Sequence, residues 1–194
     1  MTLSQYHQKY ADKTDEEITK RANIKEQELA SILKEVPLRS NKGPLKLAVL
    51  GCGDKRFIAH HKKIFEHLLQ KKVEITTFDI TTEHLDGEEK IIRHDCTSPL
   101  PYAPYDITYG HVLLKFIERK KQFAVLKNSF DALKSHGIAI HILDKEDYET
   151  TTPKLSDGLW SVPLKRWEKK LKKIHIEYKK IPIKYGLALV LVRK

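Results

Sequence analysis

The sequence has few of the residues that build disulfide scaffolds, zinc sites or membrane spans. Its 194 residues include only two cysteines, Cys52 and Cys96, and no Cys-x-x-Cys pair or His/Cys cluster. We therefore expect neither a disulfide framework nor a bound metal, and interpret both cysteines as small, buried, reduced side chains. The longest apolar run, Leu187 to Val192, is far too short to cross a bilayer.

The beginning of the sequence also lacks the apolar segment of a signal peptide. These absences predict a cytoplasmic protein that does not enter a membrane. The sequence contains no internal repeat and no low-complexity segment, and its composition of 40% hydrophobic and 32% charged residues is typical of a globular protein. A chain of this length is expected to form one domain with a sizeable core.

Positive charge is present in excess. The 36 lysines and arginines outnumber the 26 aspartates and glutamates, which gives a formal net charge of +10 with the histidines neutral. Such a field attracts polyanions and favours a nucleic acid or an acidic partner. A surface that is simply solvated by lysine would show the same excess, so composition alone does not decide between the two.

The order of the predicted elements indicates an α/β sheet. Thr14 and Glu17 form a capping-box pattern before a helix that ends at Pro37, and residues 1–42 are predicted to be an N-terminal helical extension. Strands and helices alternate through residues 43–194, the predicted main domain, with Gly137 as the expected end of one helix. The predicted strands are Leu45–Leu50, Val73–Asp79, Glu89–His94, Tyr105–Tyr109, Ile138–Leu143 and the two runs that flank Gly186.

The last two of these strands are too close in sequence for a parallel crossover, which needs about a dozen residues or more. One strand near the carboxyl terminus must therefore run antiparallel. The predicted fold is a doubly wound, mostly parallel seven-stranded sheet with an antiparallel C-terminal hairpin strand.

The first predicted strand ends in a glycine turn, Gly51-Cys52-Gly53-Asp54. Glycine lets the backbone turn sharply and approach a ligand closely. A dinucleotide site needs the pattern Gly-x-Gly-x-x-Gly so that the helix start can receive a diphosphate, but the third position here is Arg56. This departure disfavours a nicotinamide-dependent oxidoreductase.

The ordered set of motifs resembles the class I S-adenosylmethionine-dependent methyltransferases. The segments that carry the resemblance between Lys46 and Lys194 are LAVLGCG, ITTFDI, IIRHDCTSPLP, YDITYGHVLLKFI and VLKNSFDALKSHGIAIHI. The resemblance implies a Rossmann-like fold, S-adenosylmethionine as the cofactor and methyl transfer as the activity.

The resemblance also implies the parts of a cofactor site. The glycine turn, with Gly51, Cys52, Gly53 and Asp54, would lie beside the methionine part of the cofactor. Asp79 would accept hydrogen bonds from both ribose hydroxyls, and Ile80 would lie against the adenine. Asp95 would contact the adenine amino group, with Cys96 beside the ring.

The fourth strand would meet both cofactor and substrate at Gly110 and His111. His111 is the candidate general base, because an imidazole titrates near pH ~6.5, and a role as a lining residue is the alternative. Local alternatives also stand for the two acids: Asp79 as a helix N-cap or turn residue, and Asp95 as the acceptor of an Asx-turn.

Two positions depart from the family pattern. Val49 stands where the family often carries an acid that positions the amino acid part of the cofactor, and Lys55 stands where glycine is usual. Asp54 is the candidate to replace the lost acid, by approaching the ammonium group of the cofactor. The departures keep open a second hypothesis, a catalytically degenerate module that binds nucleic acid or a protein partner.

The methyl acceptor is indicated mainly by charge. The sequence lacks the Asn-Pro-Pro-Tyr type of signature for amino methylation of bases and an obvious Lys-Asp-Lys-Glu set for ribose methylation. Basic residues crowd the last predicted helix, which favours RNA, ribosomal RNA included, while a small-molecule acceptor and a merely solvated helix face remain alternatives. The expected substrate-side residues are Tyr148, Trp160, Lys165 and Arg166, whereas Trp167 is expected in the core.

Overall fold

The helices and strands of the chain are given by a computed structural model that describes residues 13–38, 43–85, 90–156 and 158–194. The helices are α1 (Asp15–Glu35), α2 (Arg56–Leu69), α3 (Gln122–Asp131), α4 (Lys145–Glu149) and α5 (Leu164–Lys173). The strands are β1 (Leu45–Leu50), β2 (Val73–Asp79), β3 (Ile91–Arg93), β4 (Tyr105–His111), β5 (Leu133–Asp144), β6 (Lys154–Ser156), β7 (Leu159–Trp160), β8 (Glu177–Ile183) and β9 (Gly186–Val192). Short 3₁₀ turns span Glu83–Leu85 and Leu114–Phe116.

Seven of the strands form one sheet in the order β3-β2-β1-β4-β5-β9-β8. Strands β1 to β5 are parallel, and β9 runs antiparallel to both of its neighbours, β5 and β8. The turn between β8 and β9 consists of Lys184 and Tyr185, which is too short for a parallel return. The predicted sheet is confirmed. Its strand order reverses between β1 and β4, and ligands bind at such a switch point in open α/β sheets.

Helices cover both faces of the sheet, as the doubly wound prediction requires. On one face α1 and α2 bury Leu29, Ile32 and Phe65 against the β1 residues Leu47 and Val49. On the other face, α3 and α5 pack against the alternate sheet residues, and Trp167 of α5 is 1% exposed, which confirms its place in the core.

Helix α1 begins as the sequence predicts. The Thr14 hydroxyl accepts the backbone N–H of Glu17, and the Glu17 carboxylate accepts the backbone N–H of Thr14, which completes the capping box. The helix ends at Glu35, two residues before Pro37. Because α1 shares the core of one sheet face, it is packed into the fold; the boundary at residue 42 lies outside the described residues and stays a prediction.

The predicted helix end at Gly137 is wrong. Helix α3 ends at Asp131 with Ala132 as its C-cap, and the backbone takes its left-handed turn at His136, where φ is 64°. Gly137 belongs to β5, at an irregularity in the pairing of β4 with β5. A Cβ at this position would lie 3.0 Å from the carbonyl oxygen of Asp106, so the close approach of the two strands explains the glycine.

The segment between β5 and α5 has structure of its own. It contains α4 and an antiparallel hairpin of β6 and β7, and the N–H of Val162 donates to the carbonyl of Asp147. The hairpin places Trp160 beside the 3₁₀ turn that follows β4. Among the helices of the described residues, none is both long and apolar enough to span a membrane.

Candidate functional site

The glycine turn after β1 lies beneath the loop that follows β4. Gly51 has a φ of +75°, a conformation that side chains other than glycine rarely adopt, and its N–H donates to the carbonyl of Phe78 over 2.7 Å. A Cβ on Gly51 would lie 3.0 Å from Cδ1 of Leu113. The glycine is therefore required by the backbone conformation, and an added carbon would also displace the end of the Leu113 side chain. Gly53, the second glycine of the motif, lies in the same turn.

Asp79 ends β2 and is hydrogen-bonded to the glycine turn. Its Oδ2 accepts the N–H of Cys52 over 2.7 Å, and its Oδ1 accepts the N–H of Thr81 over 3.2 Å. Two carboxylate oxygens offer about four lone-pair positions, so acceptor capacity remains for a ligand. The next residue, Ile80, is 62% exposed, which is unusual for a large apolar side chain beside a buried strand end.

Asp95 and Cys96 follow β3, next to Asp79. The Oδ1 of Asp95 accepts the N–H of Thr97 over 2.9 Å, which is the local turn that the sequence allowed as an alternative. Partial burial acts to raise the pKa of Asp95. Hydrogen bonds from the backbone and the side chain of Thr97 outweigh it and hold this pKa below its ordinary value. Burial, followed by the negative charges of Asp79 and Asp95, raises the pKa of the Cys96 thiol to about 12. Both carboxylates thus lie near one thiol, at neighbouring strand ends.

Gly110 and His111 end β4. Gly110 is buried, and a Cβ there would lie 3.3 Å from Nδ1 of His141 on β5. The Nε2 of His111 lies 3.9 Å from Oε2 of Glu28 on α1. Burial and then the charge of Lys25 hold the pKa of His111 well below its ordinary value. The imidazole is therefore neutral near pH 7 and able to accept a proton.

Asp54 is occupied by a neighbouring side chain. Both of its carboxylate oxygens accept hydrogen bonds from the guanidinium of Arg56, with the shortest distance, 2.6 Å, between Nη2 and Oδ2. Arg56 also donates to a carboxylate oxygen of Asp15 and to the carbonyl of Lys13, each over 2.8 Å. The residue that breaks the dinucleotide pattern therefore joins the glycine turn to the start of α1.

The predicted cofactor-side residues lie together at the carboxyl ends of four adjacent strands, in the order β3-β2-β1-β4. The substrate-side candidates lie on other elements. Trp160 is half-buried beside the 3₁₀ turn that follows β4, Tyr148 is half-buried on α4, and Lys165 and Arg166 lie exposed on α5. No hydrogen bond or ion pair within the described ranges links Lys165 or Arg166 to the strand ends. Instead, Arg166 stacks over the ring of Trp167.

Sequence reasoning missed two charged residues of α1, Lys25 and Glu28. They are 9% and 7% exposed, and they face the sheet above the glycine turn and the end of β4. A signal was present, because the buried positions of α1 recur at helical spacing through Ala22 and Leu29, and Lys25 occupies the position between them. A lysine inside an apolar stripe indicates a special environment.

A cluster of acids lies apart from these strand ends, at the start of α4. Asp144, Glu146 and Asp147 bring carboxylate oxygens within 4.8 Å of one another. The ammonium of Lys115 donates to Asp144 over 2.8 Å and to Asp147 over 3.4 Å. The ammonium of Lys115 lies where a metal ion would bind to these acids. We interpret the cluster as a link between the loop after β4 and α4.

Comparison with solved structures identifies the class of fold. A S-adenosylmethionine-dependent methyltransferase from Clostridium acetobutylicum ATCC 824 matches with a TM-score of 0.65 at 12% identity, over 96% of this chain and 98% of that one. The sugar N-methyltransferase KedS8 from Streptoalloteichus sp ATCC 53650 matches with a TM-score of 0.64 at 10% identity, over 89% and 88% of the two chains.

A third match is LepI in complex with SAM, with a TM-score of 0.57 and 13% identity over 83% of this chain. The match covers 46% of LepI, so this chain spans about half the length of that protein. Neither the protein-family models nor the curated proteins yield a match to the sequence. The chain has the Rossmann-like fold of the S-adenosylmethionine-dependent methyltransferases, as its motifs predict.

Proposed function

We propose that this chain is an S-adenosylmethionine-dependent methyltransferase. The observation that carries the proposal is Asp79, a buried carboxylate that ends β2, accepts from the glycine turn and stands beside the exposed Ile80. Solved proteins of this fold include one in complex with SAM and one crystallised with SAH. The arrangement of strand ends agrees with that ligand and not with a dinucleotide, because Arg56 occupies the approach to the start of α2.

Each strand end would hold one part of the cofactor. Asp79 would accept the ribose hydroxyls, Ile80 would cover one face of the adenine, and Asp95 would accept from its amino group. Gly51 would let the backbone approach closely. The bound sulfonium would supply an activated methyl group, so the chain mainly has to align the acceptor with it.

The end of β4 would then serve the acceptor. His111 is neutral at pH 7 because burial and nearby positive charges lower its pKa, so a free ring nitrogen can accept the proton that an acceptor hydroxyl or amine loses, although the same burial makes the imidazole a weaker base. Trp160 lies beside the loop after β4 and would form one wall of the acceptor pocket. A small-molecule acceptor fits this half-buried wall. Two proteins of the same fold also support it: one is described as a sugar N-methyltransferase, and the other is DhpI in a complex with SAM and HEP.

RNA is the second candidate acceptor, and the exposed face of α5 favours it. Lys165, Arg166, Lys169, Lys170 and Lys173 line a shallow groove of about 360 Å³ there. An RNA held by these cations would bind with a steep salt dependence, because each neutralised phosphate releases counterions. An affinity for mixed RNA that does not change between low and high salt would remove this candidate and leave the small molecule.

A binding module without activity is the alternative to an enzyme. Val49 is an apolar residue buried in the core, and Lys55 is exposed at the start of α2. Methyl transfer from labelled S-adenosylmethionine to a pool of small molecules and RNA would separate the two. Cofactor binding without transfer to any acceptor would favour the module. The cytoplasmic location expected from the sequence stays a prediction.

Calorimetric titration tests the proposed ligand directly. The full chain is titrated separately with S-adenosylmethionine, S-adenosylhomocysteine and NAD. We expect one-to-one binding of the first two and no binding of NAD. Binding of NAD alone, or of none of the three, would contradict the proposed function.

A further inference from the structure

Helix α1 holds two buried charges over the carboxyl ends of β1 and β4. Lys25 and Glu28 share the face of α1 that buries Ala22 and Leu29 against the sheet. Both side chains are more than nine-tenths buried. Lysine and glutamate are almost never buried to this extent without a partner of opposite charge, because an isolated charge loses its hydration.

Lys25 lies beside the glycine turn without such a partner. Its Nζ is 4.0 Å from the ring centroid of Phe57 and 3.5 Å from Nε2 of His61, neither of which is an anion. Within the described ranges, no carboxylate forms an ion pair with this ammonium. Burial therefore lowers the pKa of Lys25 to about 8. The positive charge is felt in the turn itself, where it opposes the rise that burial causes in the pKa of Cys52.

Glu28 lies at the end of β4 and forms no ion pair with a lysine or arginine of the described residues, although the charge of Lys25 one helical turn away acts on it. Its Oε2 lies 3.9 Å from Nε2 of His111, and the lowered pKa of that histidine leaves the ring neutral. Burial raises the pKa of the Glu28 carboxyl. The His111 side chain is 27% exposed, so solvent reaches this part of the cluster.

The other acids near this end of the crevice are not free for a ligand. At position 49, where the resembled family often carries an acid, this chain has Val49, which is 1% exposed in the core. Asp54 has both carboxylate oxygens bonded to Arg56. Among the described residues, Lys25 and Glu28 are therefore the buried charges above β1 and β4 that lie close to each other but form no ion pair with a charged partner on another element.

We propose that Lys25 and Glu28 bind the amino acid end of the cofactor, Lys25 pairing with its carboxylate and Glu28 with its ammonium group. The inference rests on the proposed function. Strand order gives the direction: with the ribose at Asp79 on β2 and the adenine toward β3, the remaining part of the molecule extends across β1 toward β4, beneath α1. One cation and one anion on successive turns of a helix match a zwitterion, and charge-assisted hydrogen bonds are the strong ones.

Two ligands that differ only at the amino acid end test the inference by calorimetry on the full chain. S-adenosylhomocysteine carries the amino acid, whereas 5′-methylthioadenosine ends in a methyl group after the same sulfur. Lys25→Met and Glu28→Gln are each expected to weaken binding of S-adenosylhomocysteine by about tenfold or more, since each removes a hydrogen bond to a charged group. Binding of 5′-methylthioadenosine is expected to stay within about twofold.

Asp79→Asn is the matched control, because it is expected to weaken both ligands alike. Thermal unfolding separates binding from folding. Lys25→Met removes a buried charge that forms no ion pair with a described carboxylate, so its melting temperature is expected to rise while its affinity for S-adenosylhomocysteine falls. A structural role for Lys25 would give the opposite sign, a lower melting temperature.

Two results would overturn the inference and leave the proposed function in place. The first is wild-type binding of S-adenosylhomocysteine that Lys25→Met and Glu28→Gln leave unchanged. The second is an equal loss for both ligands in these two variants. If the wild-type chain binds neither ligand, the proposed function fails and the inference fails with it.

Discussion

At the scale of single residues, Asp79 has two tasks that one substitution can separate. Its carboxylate accepts the N–H of Cys52, which holds the glycine turn, and it has acceptor capacity left for a ligand. Asp79→Asn keeps one oxygen for Cys52 and removes the negative charge. We expect the affinity for S-adenosylhomocysteine to fall at least about tenfold, with a loss of stability of about 1 kcal/mol.

Calorimetry and urea denaturation measure these two effects. Asp95→Asn is the comparison, because the carboxylate of Asp95 is exposed and bonded to Thr97, and we expect it to weaken binding less. An Asp79→Asn chain that binds with wild-type affinity would remove Asp79 from the site.

His111 provides a second prediction at this scale, which concerns its protonation. Burial and the positive charge of Lys25 lower its pKa, so we expect the imidazole to stay neutral at pH 6, where a solvated histidine is largely protonated. NMR of the imidazole resonances between pH 5 and 8 measures the titration, and His111→Gln assigns the signal. A midpoint at or above about 6.5 would contradict the surroundings described for His111.

The sequence reveals some single residues of the candidate site and hides others. Asp79 and the two glycines were predictable because each follows a recognisable strand. Arg56 was read only as a missing glycine, since its contact with Asp15 joins residues 41 positions apart. Lys25 was visible as a charge inside an apolar stripe, but what faces it depends on how α1 lies over β1.

At the scale of elements, the pairing of β5 with β9 depends on Gly186. A Cβ at this position would lie 1.9 Å from the carbonyl oxygen of Leu143, a backbone atom that cannot move without disturbing β5. We expect Gly186→Ala to lower the free energy of unfolding by about 3 kcal/mol, through overpacking.

The control is Gly158→Ala. Gly158 has a φ of +75° and no atom within 4 Å of an added Cβ, so backbone strain alone should lower stability by about 1 kcal/mol. Urea denaturation of both variants gives the comparison. Equal losses, or a tolerated Gly186→Ala, would show that the last strand is not held as described.

Element boundaries divide into those with a local cause and those without. The start of α1 was predictable, because a capping box uses residues three apart. The role of Gly137 was not predictable. The glycine is needed because the carbonyl of Asp106, on another strand, lies close to it, and it does not end α3. The hairpin of β6 and β7 gave no sequence signal, since the two strands have three and two residues.

At the scale of the whole molecule, buried histidines link stability to pH. His61 and His141 are 2% and 1% exposed, and burial lowers both pKa values, that of His141 to about 4. As the pH falls below about 6.5, the unfolded chain gains protons at these positions that the folded chain does not bind. Each of these two histidines therefore lowers the stability by about 1 kcal/mol as the pH falls from 7.5 to 5.5.

Urea denaturation at the two pH values measures this loss, and His141→Leu isolates one contribution. Neither ring nitrogen of His141 has a hydrogen-bond partner among the described residues, so the leucine variant should be at least as stable at pH 7.5 and lose less on acidification. A stability that is constant or rises toward pH 5.5 would contradict the lowered pKa values of the buried His61 and His141.

The whole architecture was the most predictable part of the molecule. Short apolar runs bounded by glycine, alternating with helical stripes, define a doubly wound sheet, and a short last connection demands one antiparallel strand. The substrate side was not predictable in the same way. Tyr148, Trp160 and Lys165 were chosen for residue type and nearness in sequence, and the structure places them on different elements from the acids.

The central claim is that the crevice at the ends of β1 to β4 holds the adenosine of a sulfonium cofactor through Asp79. The most direct measurement is a crystal structure of the chain with S-adenosylhomocysteine. We predict both ribose hydroxyls within hydrogen-bond distance of the Asp79 carboxylate and the adenine against Ile80. A ligand bound elsewhere, or one whose ribose does not contact Asp79, would contradict the account.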